Sequence, residues 1–331
     1  MDSFTALPRV GFACKIQEQE NKAFEQLSTT STKITWLTKQ TKEVAVQKLL
    51  TIMEGNCNAL KLQIEWVSLL PPNQRMFRIT SDLLPAYTHK DWSWLYKEQS
   101  TVNYLSKVLL EIGNIARQHD IRLSFHPGQF CVLASDNPDI VTNSIEEFEY
   151  HTDIARYMGY GKEFQDFKCN VHIGGKAGPD GIRRALLRMS PEARNIITIE
   201  NAEFSFGLEH SLELANDCAL VLDIHHHWIY SDGEFISPND ERYRRVIDSW
   251  RGVRPVIHYS LSKPESPALL SGYPDMQELK KTFKATELRA HSDYYKNSTL
   301  NQWAASFSPY ADIMCEAKQK NLASAAIAAI I

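Results

Sequence analysis

The chain of 331 residues reads as an α/β protein of the TIM (β/α)8 barrel class, a single domain over residues 1–331, on three observations. Short runs that are apolar at consecutive positions recur along it, the pattern of strands buried on both faces in a parallel sheet. Longer amphipathic stretches separate most of these runs, as helices do between parallel strands. Several runs stop abruptly on a histidine or carboxylate, most plainly Leu-Val-Leu-Asp-Ile-His-His-His-Trp from Leu220 to Trp228. The carboxyl ends of strands are where α/β folds assemble their sites.

Taken in order, Arg9 to Ala13 is the first strand, followed by a polar stretch to Gln40. Thr41 to Leu70 reads as a helix, with Val44, Leu49, Ile52 and Met53 near the helical period, until Pro71-Pro72 forbids continuation. Met76 to Thr80 is the second strand. Thr101 to Arg117 carries Val102, Leu105, Leu109, Ile112 and Ile115 at three- and four-residue intervals, with Ser100 as its cap. Ile121 to Phe125 is the third strand, and Pro138 opens a helix that Gly159 terminates. Cys169 to Val171 is the fourth strand, and a basic helix starts at Gly181-Ile182-Arg183-Arg184. Ile196 to Ile199 is the fifth, followed by a helix from Leu208 to Asn216. Leu220 to Leu222, Pro255 to Ile257 and Ala311 to Cys315 complete a set of eight, and a closing helix is expected over 317–331. Turn chemistry for two-residue hairpins and short repeats are both missing, so a barrel is the natural closure.

The formal net charge of −4 gives no global nucleic-acid signature. A phosphate-binding protein of this balance needs bound cations or local basic groups, for which Arg183, Arg184, Arg188, Arg242, Arg244, Arg245 and Lys318 are the candidates. The six cysteines form no C-x-x-C pair and sit in or beside apolar runs, as reduced intracellular thiols do. Met1 to Pro8 lacks a signal pattern, and the apolar tail from Ala323 to Ile331 is far shorter than the roughly 20 residues of a membrane span. A cytoplasmic, monomeric protein with no membrane partner is expected.

The chemistry lies at the strand ends. His89, His126, His172, Glu200, Asp223 with His226, His258, His291 and Glu316 follow successive strands or late loops, and a barrel gathers such positions on one face without local spacing. Mixed imidazole and carboxylate donors suit Mn2+ or Zn2+ better than Mg2+ or Ca2+. Nine donors exceed the needs of one ion and fit two or three. A lone histidine is more often a solvated loop residue, and the residues alone do not say which of His225, His226 and His227 faces the site. His89 and His291 have the same bland alternative, and Glu200 or Glu316 could instead orient a histidine. His119, His151 and His210, on or near helices, read as ordinary surface residues.

Together, Arg-Val-Gly-Phe at 9–12, Phe-Arg-Ile-Thr-Ser-Asp-Leu-Leu-Pro at 77–85, Leu-Ser-Phe-His-Pro-Gly-Gln-Phe at 123–130, His-Ile-Gly-Gly at 172–175, Glu-Asn at 200–201, Asp-Ile-His-His-His at 223–227 and Met-Cys-Glu-Ala-Lys at 314–318 resemble the UV damage endonuclease family. The resemblance runs from Arg9 to about Lys318 and rests on the succession of motifs. It implies a TIM barrel related to endonuclease IV that nicks double-stranded DNA immediately 5′ to ultraviolet photoproducts, pyrimidine dimers and 6-4 products, with a cluster of divalent ions, typically Mn2+. Zn2+, Mg2+ and Co2+ are the alternatives.

By similarity, His126, His172 and Glu200 hold one ion, and Glu200 bridges to a second held by Asp223, His258 and Glu316. His226 and His291 hold a third, and His89 stands at the rim as a catalytic candidate beside Glu200. Gln129 and Phe130 match the pair that probes the damaged duplex, and Phe12 matches an aromatic near the lesion. Phe12 and Phe130 replace residues often tyrosine in the family, keeping a stacking face without a hydroxyl. Val256 stands two residues before His258, where relatives carry a metal-associated lysine. A sugar isomerase or epimerase on the same barrel, or a lesion-binding protein without catalysis, is the alternative function.

Overall fold

The computed structural model describes residues 4–331. Eight parallel strands close a barrel: β1 (Val10–Ala13), β4 (Met76–Arg78), β5 (Arg122–Phe125), β6 (Lys168–His172), β7 (Ile197–Glu200), β8 (Ala219–Asp223), β9 (Val256–Tyr259) and β10 (Asp312–Cys315). They stand in chain order around the ring, β10 pairing with β1. Each expected strand is present within a residue or two. The polar stretch after β1 also folds, into a small antiparallel pair of β2 (Gln17–Gln19) and β3 (Lys22–Ala23). The expectation of no tight hairpin is therefore corrected: Asn21 takes φ 59°, a left-handed turn that asparagine tolerates without glycine.

Strand register decides which side chains face the barrel axis. His172 pairs with Glu200, Asp223 with His258, and His258 with Met314, so these share the inner face. Lower in the barrel Met76, Val221, Val256 and Met314 fill the interior with Trp250. At the amino-terminal mouth Asp312 accepts from Arg122 at 2.7 Å and from Arg254 at 2.8 Å. The alternate residues face outward into the helix layer. Phe12 is one of these: it is 1% exposed, pairs in register with Phe77 and packs edge-on against Trp66 at 6.2 Å. Its expected place at the lesion is corrected, because its strand position points it away from the barrel mouth and into the core.

The helix Lys42–Ser68 is capped by the Thr41 hydroxyl, which accepts from the Val44 N–H. The helix Gln99–Gln118 begins earlier than its apolar stripe implied, so Glu98 is the cap residue and Ser100 lies inside the first turn. Asn137 caps Pro138–Tyr157, and Gly159 follows it at φ 89°. The basic helix runs Gly178–Leu186, and Leu208–Leu212 is shorter than expected. Ile224–Tyr230, Glu241–Asp248 and Ser298–Ala305 are helices the apolar pattern did not announce. The closing helix, Lys320–Ala328, packs against β1. No helix among the described residues is long and apolar enough to cross a membrane.

Candidate metal centre

Glu200, fully buried at the end of β7, is the hub at the carboxyl end of the barrel. Its Oε2 lies 3.3 Å from His126 Nε2 and 3.1 Å from His258 Nδ1, and its Oε1 lies 3.3 Å from His226 Nδ1. Three donor groups each bring their atoms within 4.8 Å of one another: His126, Glu200, His258; His172, Glu200, His226; and Asp223, His258, Glu316. The third is the expected triple. Around Glu200, however, His126 groups with His258 and His172 with His226, rather than His126 with His172. His291 stands at the edge, its Nδ1 3.9 Å from Glu316 Oε2.

The donor set fits a divalent cation on grounds of its own. Glu200 Oε1, Asp223 Oδ2 and His258 Nδ1 are buried and have no hydrogen-bond partner, a costly arrangement unless something else satisfies them. One ring nitrogen of several donors also meets a backbone carbonyl, as in metal sites where such a contact orients the ring. His126 Nδ1 meets the Pro127 carbonyl at 3.0 Å, His226 Nδ1 the Asn201 carbonyl at 3.0 Å, and His291 Nδ1 the Glu316 carbonyl at 3.2 Å. His258 Nε2 meets Lys168 Nζ at 3.0 Å, leaving Nδ1 toward the carboxylates. Asp223 itself is held by Asn201, whose amide oxygen accepts from the Asp223 N–H at 2.9 Å.

Electrostatics sort the groups. Burial alone raises a carboxyl, but His258, His172, His126 and His226 outweigh it at Glu200 and hold that acid well below the usual range. Glu316 is likewise held low, burial being overcome chiefly by the adjacent Arg78 and by His258. Asp223 goes the other way: burial and the Glu200 and Glu316 charges raise it. Burial lowers His172 and His258 to about 4, against the opposing pull of Glu200.

Of the three successive histidines, His226 joins the cluster. All three are buried in the helix Ile224–Tyr230, which Asp223 caps by accepting from the His226 N–H at 2.7 Å. His225 is held between the Ser260 and Ser262 hydroxyls at 3.1 Å each, and His227 by Glu234 at 3.1 Å. His89 is not brought to the cluster; it lines a neighbouring cleft with Tyr87, Glu147 and Phe130. Gln129 is exposed at the mouth of the cluster pocket, and Phe130 beside it is 84% exposed. His151 is corrected from a surface residue to a fully buried one, packed against Phe125 and Tyr150. Arg183 pairs with Asp180 and Asp217, and Arg242 with Glu234 and Asp240.

Sequence reading missed a polar layer beneath the cluster. The Asn170 amide donates to Glu200, and Thr198 Oγ1 donates to the Asn170 amide oxygen at 2.7 Å. Arg78 pairs with Glu316 and lines the same pocket. Glu203 Oε2 lies 3.9 Å from His226 Nε2. A lone Arg or Lys in a short apolar strand was the available signal for Arg78 and Lys168, since a charge there must face the barrel axis.

The UV-endonuclease UvdE family model matches residues 8–329. A UV DNA damage endonuclease of Bacillus velezensis is 26% identical over 262 residues, covering 75% of this chain and 72% of the relative. One of Bacillus cereus is 25% identical over 260 residues with the same coverage. The crystal structure of SacUVDE superimposes with a TM-score of 0.73 at 22% identity, covering 98% of this chain and 97% of that one. Endonuclease IV from Thermus thermophilus shares the fold with a TM-score of 0.51 at 13% identity, over 82% of this chain and 92% of that one. By a match that spans nearly its whole length, the chain belongs to the UV-endonuclease UvdE family of DNA-damage endonucleases.

Proposed function

We propose that this chain is a divalent-metal-dependent endonuclease that hydrolyses the phosphodiester bond immediately 5′ to ultraviolet photoproducts in double-stranded DNA. The observation that carries the reading is the convergence of buried, unpartnered carboxylate and imidazole atoms beside the exposed Gln129 and Phe130. His126, His172, Glu200, Asp223, His226, His258, His291 and Glu316 would hold two or three ions, Mn2+ before Zn2+, Mg2+ or Co2+. Ions held there would supply activation of water at neutral pH, polarisation of the phosphate and neutralisation of charge on the leaving 3′ oxygen.

The protein groups prepare that chemistry. Glu200 lies within reach of two donor groups and so supplies a shared carboxylate. Arg78, at the pocket wall beside Glu316, places a fixed positive charge where a phosphate would enter. Asn170, Thr198 and Lys168 keep Glu200 and His258 oriented from below. His89, in the cleft on the far side of Phe130, is assigned to the rim, where it meets the DNA strand rather than the ions.

Damage recognition falls to Gln129 and Phe130. A photodimer weakens pairing and stacking, so extruding it costs less than extruding normal bases. An exposed phenylalanine ring recovers stacking in the gap while the glutamine amide bonds to exposed base edges. This reading implies a monomer that works on the cell's DNA in the cytoplasm. Incubating the purified protein and Mn2+ with irradiated and unirradiated plasmid, beside a panel of sugars, tests the reading. Nicking confined to irradiated DNA is expected; no nicking by folded, metal-loaded protein, or turnover of a sugar instead, overturns it.

A further inference from the structure

The exposed ring of Phe204 is not accounted for by the cluster or by Gln129 and Phe130. It is 69% exposed, at the tip of the segment that follows Glu200 and β7. That segment is fixed at both ends. Asn201 is fully buried and bonded both ways to the Asp223 backbone, at 2.9 and 3.0 Å. The Ala202 N–H donates to the Phe206 carbonyl at 2.9 Å, closing a loop with Phe204 at its apex. Phe206 packs over Gly178, where a Cβ would come within 2.9 Å of its ring, and edge-on to His210 at 5.2 Å. The loop therefore holds its own aromatic anchor inward and presents a second ring to solvent.

What it presents that ring to is specific. Phe204 and Phe130 line one cleft of about 790 Å³ together with His172. Phe130 follows β5 and Phe204 follows β7, so the two rings bracket the end of β6, which carries His172 to the cluster. Glu203, the residue before Phe204, reaches within 3.9 Å of His226 Nε2, which brings the loop to the edge of the metal centre. The Arg289 guanidinium lies 5.2 Å over the Phe204 ring, a cation above an aromatic face and a positive charge beside the cleft.

We propose that Phe204 is a second stacking platform, one that takes an unpaired nucleobase of the damaged strand whose phosphate lies over the histidine and carboxylate cluster. The inference rests on the reading of the chain as a DNA endonuclease and adds a residue that determines specificity. Arg289 covers one side of the ring and pairs with the strand's phosphates, while the base stacks on the open side. Stacking is indifferent to base identity but demands a flat π-face, so the aromatic ring, not merely its bulk, is what matters.

The test uses the Mn2+-loaded full chain and its Phe204→Ala, Phe204→Leu and Phe204→Trp variants, with metal content and circular dichroism compared first. Damaged and undamaged duplexes of one sequence are titrated by anisotropy, and a 2-aminopurine beside the lesion in the damaged strand reports stacking by quenching. Phe204→Ala and Phe204→Leu should each lower the ratio of damaged to undamaged affinity about tenfold and relieve the quenching. Phe204→Trp should restore both. A leucine variant equal to wild type, or an alanine variant with unchanged discrimination and quenching, overturns the role of Phe204. Should wild type itself neither nick nor discriminate irradiated DNA, the endonuclease reading fails instead, so the two failures are separable.

Discussion

Glu200 is a fully buried acid that stays ionised because burial is outweighed by His258, His172, His126 and His226 around it. Replacing it with glutamine keeps the shape and removes the charge. Glu200→Gln is predicted to lower bound metal and to slow single-turnover nicking by about 10²-fold or more, the scale for loss of a preorganised electrostatic group. Unchanged circular dichroism shows that the fold survives; wild-type nicking would remove Glu200 from the mechanism. His151 makes a separate prediction about stability. Burial lowers it from 6.5 to about 4, so the folded protein resists a proton that the unfolded chain accepts. Stability from the neutral ring is complete above pH 6.5 and is lost as pH falls toward 4, by about 3 kcal/mol for a gap of this size. Urea unfolding of His151→Phe should show less acid sensitivity over that window, by one proton; parallel profiles would contradict it. The residues that converge at the barrel mouth were legible because histidines and carboxylates at strand ends are conspicuous. For Arg78 and Lys168 the lone charge in an apolar strand was the one signal. Asn170 was not legible, because within a strand of three to five residues only the register says which side chain faces the axis. Phe12 was misplaced for the same reason.

Among the elements, strands were the most legible, since each must be apolar on its outward face and several end on a chemical group. Helices were uneven. Long ones with a sustained stripe, such as Gln99–Gln118, were found, while Glu241–Asp248 and Ser298–Ala305 are too short to show a period. Helix contacts also impose demands invisible in the pattern. Gly113 sits where the helix Gln99–Gln118 meets the end of Pro138–Tyr157, and a Cβ there would lie 2.0 Å from the Met158 carbonyl oxygen. Alanine would ordinarily favour a helix over glycine. Here Gly113→Ala should instead destabilise by roughly 1–3 kcal/mol as the helices are forced apart. Thermal unfolding measures it, and a melting temperature equal to or above wild type would show that the close approach is not required.

Across the whole molecule the two barrel ends divide the labour. The carboxyl end gathers the donors, and the amino end carries Asp312, 2% exposed, compensating Arg122 and Arg254. Removing one member of such a buried network strands the others, at about 3–5 kcal/mol. Asp312→Asn should therefore lower the urea midpoint while leaving the nicking rate of the folded fraction within about twofold of wild type, since the change lies at the opposite end of the barrel from the donors. A large rate loss without loss of stability would contradict that division. The barrel, its strand order and the face bearing the site were legible from alternation and strand ends. The grouping of side chains around Glu200, and the loop that lifts Phe204, depend on how distant loops fold over one another. The most direct test of the central claim is single-turnover incision of an end-labelled duplex containing one defined pyrimidine dimer, with the product mapped to the nucleotide. One Mn2+-dependent nick at the phosphodiester 5′ to the dimer, abolished by chelation and missing from the undamaged duplex, is the result predicted. No incision by folded, metal-loaded protein, or equal cutting of the undamaged duplex, would contradict it.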